Sequence, residues 1–141
     1  MTKDVTISIK GLQFNDENGS DNLETITVGT YYQKNDSHYV MYEELVEGYQ
    51  EPIKSMIKFN ENEMTLTRHG LVNVHMLFEE KRKNITNYGT PYGNILIGID
   101  TGKIILEEQE DELNLKISYG LEVNYEHLAD CNIEMRVTER K

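Results

Sequence analysis

Arg68 is the residue whose neighbours in the sequence say most about chemistry. Met64 and Leu66 precede it at a spacing of two, and on a strand that spacing sends all three side chains to one face. The guanidinium is therefore carried toward an apolar interior, where an ion without partners costs several kcal/mol or more. The segment Tyr39-Val40-Met41-Tyr42-Glu43-Glu44 supplies partners. A strand through Val40 and Tyr42 turns Glu43 or Glu44 inward, and Tyr42 adds a phenolic hydrogen bond. The set fits a structural clamp, and it fits the polar end of a site for a carboxylate or phosphate ligand. The candidate ligand-binding residues are Arg68, Tyr42 and Glu44, with His75 and Tyr119 as further polar contacts.

The other chemical signals are weaker. Residues 98–103 resemble a phosphate loop, but the glycine spacing is one short and Ile104 stands where a Ser or Thr would hold magnesium, so the stretch reads as a hairpin turn. His38, His69, His75 and His127 form neither H-x-H nor H-E-x-x-H, and Cys131 is the single cysteine, so the local pairs of a structural zinc site are missing. An irregular set of His127, Asp130 and Cys131 lacks a fourth ligand and reads as a loop. Cys131 opens the alternation Ile133, Met135, Val137 and is read as a small buried hydrophobe. There is no G-x-S-x-G elbow. Glu107, Glu108, Glu110, Asp111 and Glu112 crowd one expected turn, where water solvates them, whereas acid-base work needs a pair in a cleft. These residues imply no enzyme, no metal and no cofactor. Nine tyrosines without a tryptophan read mostly as ordinary strand residues, a few of them lining a cavity.

Composition bounds the partners. The 141 residues hold 25 Asp and Glu against 14 Lys and Arg, a formal charge of -11. Such a balance repels a phosphate backbone, which argues against nucleic acid. The one basic cluster, Lys81-Arg82-Lys83, follows Glu79-Glu80 and nearly cancels. With 38% apolar and 28% charged residues the chain reads as one globular domain, 1–141. No apolar run approaches the ~20 residues of a membrane span, and the start of the chain passes directly into alternating Val5, Ile7 and Ile9, so a cytoplasmic protein without membrane contact is expected.

The elements that must position these residues are strands, because period 2 dominates and period 3.6 is almost absent. Strands are expected over residues 5–9, 26–28, 38–46, 53–59, 64–68, 71–78, 84–88, 95–99, 103–107, 113–123 and 133–137. Short helical turns are expected only near 43–49 and 125–129. A turn-rich loop is expected at 15–22, connections carry turn chemistry at Asn35-Asp36, 60–62, His69-Gly70, Thr101-Gly102 and 108–112, and the Tyr88 to Gly93 stretch reads as a barrel corner or rim. No gap is long enough for a parallel crossover. A meander of this many strands leaves two exposed edges unless it curls shut. The expectation is an all-β, antiparallel up-and-down barrel of about 8–10 strands, with a sandwich as the alternative. Inward positions are expected at Ile7, Ile9, Val28, Ile57, Leu66, Val74, Phe78, Ile95, Ile97, Leu115, Ile117 and Met135, and an imperfectly closed barrel would present free backbone groups at 30–34 or 133–138.

Three stretches, Tyr39 to Glu44, Leu66-Thr67-Arg68-His69-Gly70-Leu71-Val72 and Tyr88-Gly89-Thr90-Pro91-Tyr92-Gly93, together with the alternation around them, resemble the YwiB-like family of small bacterial β-barrels, a domain of unknown function. The resemblance covers essentially the whole chain. It implies a lipocalin-like (calycin) barrel and carries over no activity, ligand or catalytic residue. The chain lacks the G-x-W signature of true lipocalins, since it has no tryptophan. The functional expectation is non-catalytic binding of a small apolar or amphipathic ligand inside the barrel. The alternative is a protein-interaction module using the exterior, and the assembly is expected to be a monomer or homodimer.

Overall fold

Alternation at every second residue becomes ten antiparallel strands in the computed structural model, which describes residues 3–11, 24–44, 48, 50–69, 74–90 and 93–140. They are β1 (Lys3–Lys10), β2 (Glu24–Lys34), β3 (Ser37–Glu44), β4 (Ile53–Phe59), β5 (Glu63–His69), β6 (Val74–Glu79), β7 (Arg82–Thr90), β8 (Gly93–Glu108), β9 (Glu112–Val123) and β10 (Glu126–Glu139). Each strand pairs with its sequence neighbour except at one place, and β1 also pairs with β10, so the order β6-β5-β4-β3-β2-β1-β10-β9-β8-β7 bends into a nearly closed up-and-down barrel. The exception is the seam between β6 and β7. The connection there, Glu80-Lys81, is tied to both flanks: Lys81 N–H donates to the Thr101 carbonyl at 2.8 Å and Glu80 N–H to the Asn62 carbonyl at 3.0 Å. The architecture is consistent with a lipocalin-like fold.

Turn residues decide where strands reverse. Asn35 and Asp36 both have positive φ, 51° and 67°, which suits a two-residue hairpin whose twist matches its strands. Asn60 Oδ1 accepts from the N–H groups of Asn62 and Glu63 at 2.8 and 3.0 Å, the side chain standing in for a backbone turn. Asn124 and Tyr125, at 50° and 70°, form a hairpin of the same kind as Asn35-Asp36, and β10 starts at Glu126. The helical turn expected at 125–129 is therefore replaced by a hairpin and a strand.

The barrel interior is filled by side chains. Ile7, Ile57, Phe59, Met64, Leu66, Phe78, Leu115, Ile117 and Ile133 are fully buried members of one core. Ile9 and Met135 join them as expected, and Ile97 packs against this core from a partly exposed position, while Ile95 is half-buried. Cys131, expected to be buried, is partly exposed and packs on the core's edge. Val28 reverses its expected direction. Cross-strand partners share a face, and β1 pairs Ile7 with Thr27 and Val5 with Gly29, so Thr27 and Gly29 face inward. Val28 and Ile26 consequently stand outside, 54% and 66% exposed. Gly29 suits the inward position because a Cβ there would lie 2.3 Å from the Met41 carbonyl oxygen and 2.9 Å from Ile7 Cδ1.

Thr101-Gly102 is not a hairpin turn, and two expected strands are one. β8 runs unbroken for 16 residues, with a bulge between Thr101 and Lys103. The bulge shifts the inward phase from Ile97, Ile99 and Thr101 to Ile104 and Leu106. Neither 30–34 nor 133–138 is a free edge: β2 lies between β1 and β3, and β10 between β9 and β1. The expected corner at 88–93 is a hairpin in which Thr90 pairs with Gly93, whose φ of 123° suits glycine. The expected loop 15–22, the turn residues Gly70, Pro91 and Tyr92, most of the helical turn at 43–49 beyond Glu44, the start of the strand 71–78 and the Val74 side chain lie outside the described residues.

Candidate functional site

Three inward positions form a row across β3, β4 and β5. The register pairs Tyr42 with Ser55 and Ser55 with Arg68, and paired residues share a face. Tyr42 and Ser55 are buried, Ser55 to 3% exposure. Arg68 Nη2 donates to Glu44 Oε1 at 2.5 Å, and the two side chains keep 33% and 30% of their surface in solvent. The sequence pattern thus brings Arg68, Tyr42 and Glu44 together, with Glu44 rather than Glu43 as the partner.

Ser55 was not legible as a site residue, although its phase with Ile57 and Phe59 places it inward. Its Oγ and the Nε of Arg68 are both buried without a hydrogen-bond partner among the described residues. Burial pushes the Tyr42 hydroxyl pKa up, Arg68 pulls it down, Glu44 pushes it up again, and nearby Ser55 lowers it. That Ser55 effect is one of proximity, since its Oγ meets no partner at hydrogen-bonding geometry. A buried polar atom left unpaired costs about 1–3 kcal/mol, so this row carries unsatisfied donors.

The other two candidates stand apart. His75 lies on the outer face of β6, out of phase with buried Met76 and Phe78, and is exposed with Nδ1 3.4 Å from Thr67 Oγ1. It cannot supply a contact inside the barrel. Tyr119 does face inward, packing edge-on against Phe78 at 5.1 Å, and its hydroxyl donates to the Gly11 carbonyl at 3.5 Å. On β9 it contributes to the core rather than to the Arg68 row.

A second polar constellation stands toward the opposite end of β3. His38 is 4% exposed and in phase with Val40 and Tyr42. Its Nδ1 lies 2.7 Å from the Tyr31 hydroxyl and its Nε2 lies 2.6 Å from Glu108 Oε1. The Phe59 ring lies 5.1 Å from the imidazole and 26° from parallel, and the Tyr31 ring, 5.8 Å away, reaches the imidazole's edge through its hydroxyl. Glu108, expected to be a solvated turn residue, is thus the terminal member of a hydrogen-bonded chain, although more than half its side chain remains in water. The bulge in β8 is what brings it into phase with Ile104 and Leu106. Tyr31, His38 and Glu108 line an open cleft of about 650 Å³ with Lys3, Val5, Leu113 and Val137. Burial raises the Tyr31 pKa, and the negative charge of Glu108 raises it further.

Among the described residues no three His, Cys, Asp or Glu side chains converge as a metal-binding group. His127 and Asp130 do approach one another, at 3.4 Å on the exposed surface.

Residues 7–135 match the family described as a domain of unknown function, DUF1934. The chain is 26% identical over 131 residues to the uncharacterized beta-barrel protein YwiB of Bacillus subtilis, spanning 92% of this chain and 90% of that protein. The crystal structure of the ywiB protein from Bacillus subtilis superposes with a TM-score of 0.74 at 22% identity, covering 99% of this chain and 94% of that one. That likeness shows the fold.

Proposed function

The chain belongs to the DUF1934 family, and we propose that it is a non-catalytic binding protein whose ligand is a small amphipathic molecule with an acceptor head group, held at the Arg68 end of the barrel. The observation that carries this reading is the pair of buried, unpartnered atoms, Ser55 Oγ and Arg68 Nε, on directly paired residues. Both offer hydrogens, and a carboxylate or phosphate group accepts from both. Glu44 occupies Nη2 of the guanidinium and leaves Nε to a guest. The next inward residues along the same strands, Ile57 and Leu66, are fully buried in the packed core, so the guest sits at the end of the barrel rather than within it. Arg68 and Glu44 also brace β5 against β3, so a clamp and a binding contact coexist in one side chain.

Titration with octanoate, followed by backbone amide NMR, tests the proposal. Shifts centred on Ser55 and Arg68, weakened at least fivefold by Ser55→Ala, are expected. Octanoate that leaves these residues unmoved, or binds Ser55→Ala equally well, overturns it.

A second reading, a protein-interaction module, is favoured by the outer face of β2 and β3. There the exposed Ile26 and Val28 stand on the strand that carries Tyr32, which stacks on Tyr39 at 4.6 Å with the rings 5° apart. A partner held at low and high salt by the wild type and lost in Val28→Glu supports that reading. Light scattering at physiological salt is expected to give a monomer or a dimer.

A further inference from the structure

We infer that the cleft lined by Tyr31, His38 and Glu108 is a second binding site, selective for a small protonated amine. It lies at the other end of β3 from the Arg68 row and does not rest on the reading of that row.

An ionised carboxylate only accepts hydrogen bonds. At 2.6 Å from Glu108, His38 Nε2 therefore carries the hydrogen. With a neutral imidazole, the other ring nitrogen is then an acceptor. The Tyr31 hydroxyl, 2.7 Å away, must donate to it. Its single hydrogen is thereby committed, and the phenol oxygen offers only a lone pair to whatever enters the cleft. Glu108 contributes a second oxygen that can also only accept. Burial of His38 to 4% exposure and its contact with the Phe59 ring at 5.1 Å hold this arrangement in place.

A guest that meets Tyr31 must bring a hydrogen, which admits ammonium, hydroxyl and amide groups. Charge selects among them. Six carboxylates line the cleft against two lysines, and one of these, Lys3, already lies 3.8 Å from Glu139. The upward shift of the Tyr31 hydroxyl has Glu108 as its second cause, so the negative potential is felt at the oxygen itself. Val5, Leu113 and Val137 supply an apolar wall for a short hydrocarbon chain. The volume, about 650 Å³, falls within the usual range of small-molecule sites.

Four six-carbon probes at pH 8 separate the contributions: hexylammonium, hexyltrimethylammonium, hexanoate and hexanol. Hexyltrimethylammonium keeps the charge and has no N–H to give. NMR of the wild type should show hexylammonium moving the His38 ring and Tyr31 signals, with each of the other three binding at least fivefold more weakly. The ¹⁵N shifts of the His38 ring should report hydrogen on Nε2 and none on Nδ1. Tyr31→Phe, checked for a cooperative thermal transition, should bind hexylammonium at least fivefold more weakly. Equal binding of the two ammonium probes, tighter binding of hexanoate, unmoved His38 and Tyr31 signals, or a hydrogen on Nδ1 would each overturn the inference. These readouts use wild-type protein, so they stand even where Tyr31→Phe fails to fold.

Discussion

Removing the hydroxyl of Ser55 should stabilise the ligand-free protein. In most buried positions Ser→Ala loses a hydrogen bond, but Ser55 Oγ has none among the described residues and the residue is 3% exposed. An unpaired buried polar group costs about 1–3 kcal/mol. Against that gain stands a void the size of one oxygen, about 0.3 kcal/mol at roughly 24 cal/mol per Å³. The net expectation for Ser55→Ala is a stability increase of about 1 kcal/mol, or roughly 3 °C in Tm for a chain of this size. Urea unfolding by circular dichroism gives the free energy, and an unchanged denaturant slope confirms that the unfolded state is comparable. The same variant should bind octanoate more weakly, so stability and affinity move in opposite directions. A loss of about 0.5 kcal/mol or more would refute the reasoning, because it would mean that Ser55 already has a good partner without ligand.

Three further outcomes are expected. A double-mutant cycle with Arg68→Met and Glu44→Gln should give a coupling of about 1 kcal/mol by urea unfolding, above most exposed pairs and below buried ones, since each side chain is about one-third exposed. Gly29→Ala should destabilise by about 1–3 kcal/mol or more, because its Cβ would meet the Met41 carbonyl oxygen at 2.3 Å and β2 lies between two partner strands. Tyr42 is held neutral by burial, so its folded pKa lies above the ordinary 10.0. The native state then keeps a proton that the unfolded state has released, and stability present below pH 10 is lost as pH rises through the folded value. Urea midpoints between pH 9 and 11.5 should fall less steeply for Tyr42→Phe than for the wild type.

Strand content, antiparallel pairing and most of the expected inward positions were legible in the sequence because they rest on period-2 alternation, which is local. Met64, Leu66 and Arg68 share a face for that reason, and so do Val40, Tyr42 and Glu44. The meeting of Arg68 with Glu44 was legible as well, since a guanidinium carried inward must find a carboxylate. Family resemblance added the barrel but no ligand.

What alternation alone does not determine is which of its two phases faces in, or which strands become neighbours. On β2 both phases carry residues suited to a strand, and only pairing with β1 turned Thr27 and Gly29 inward and left Ile26 and Val28 outside. In β8 an extra residue at the bulge reset the phase, merging two expected strands and bringing Glu108 to His38. Tyr31 and His38 are seven residues apart, but Glu108 lies 70 positions beyond His38 and comes from a strand on the other side of the β1–β10 closure. Tertiary structure alone could assemble that group, because closure of the sheet brings together strand ends that no local pattern relates. Ser55 shows the same division: its sequence phase points it inward, and only the packed register shows that its hydroxyl arrives beside Arg68 with nothing to bond.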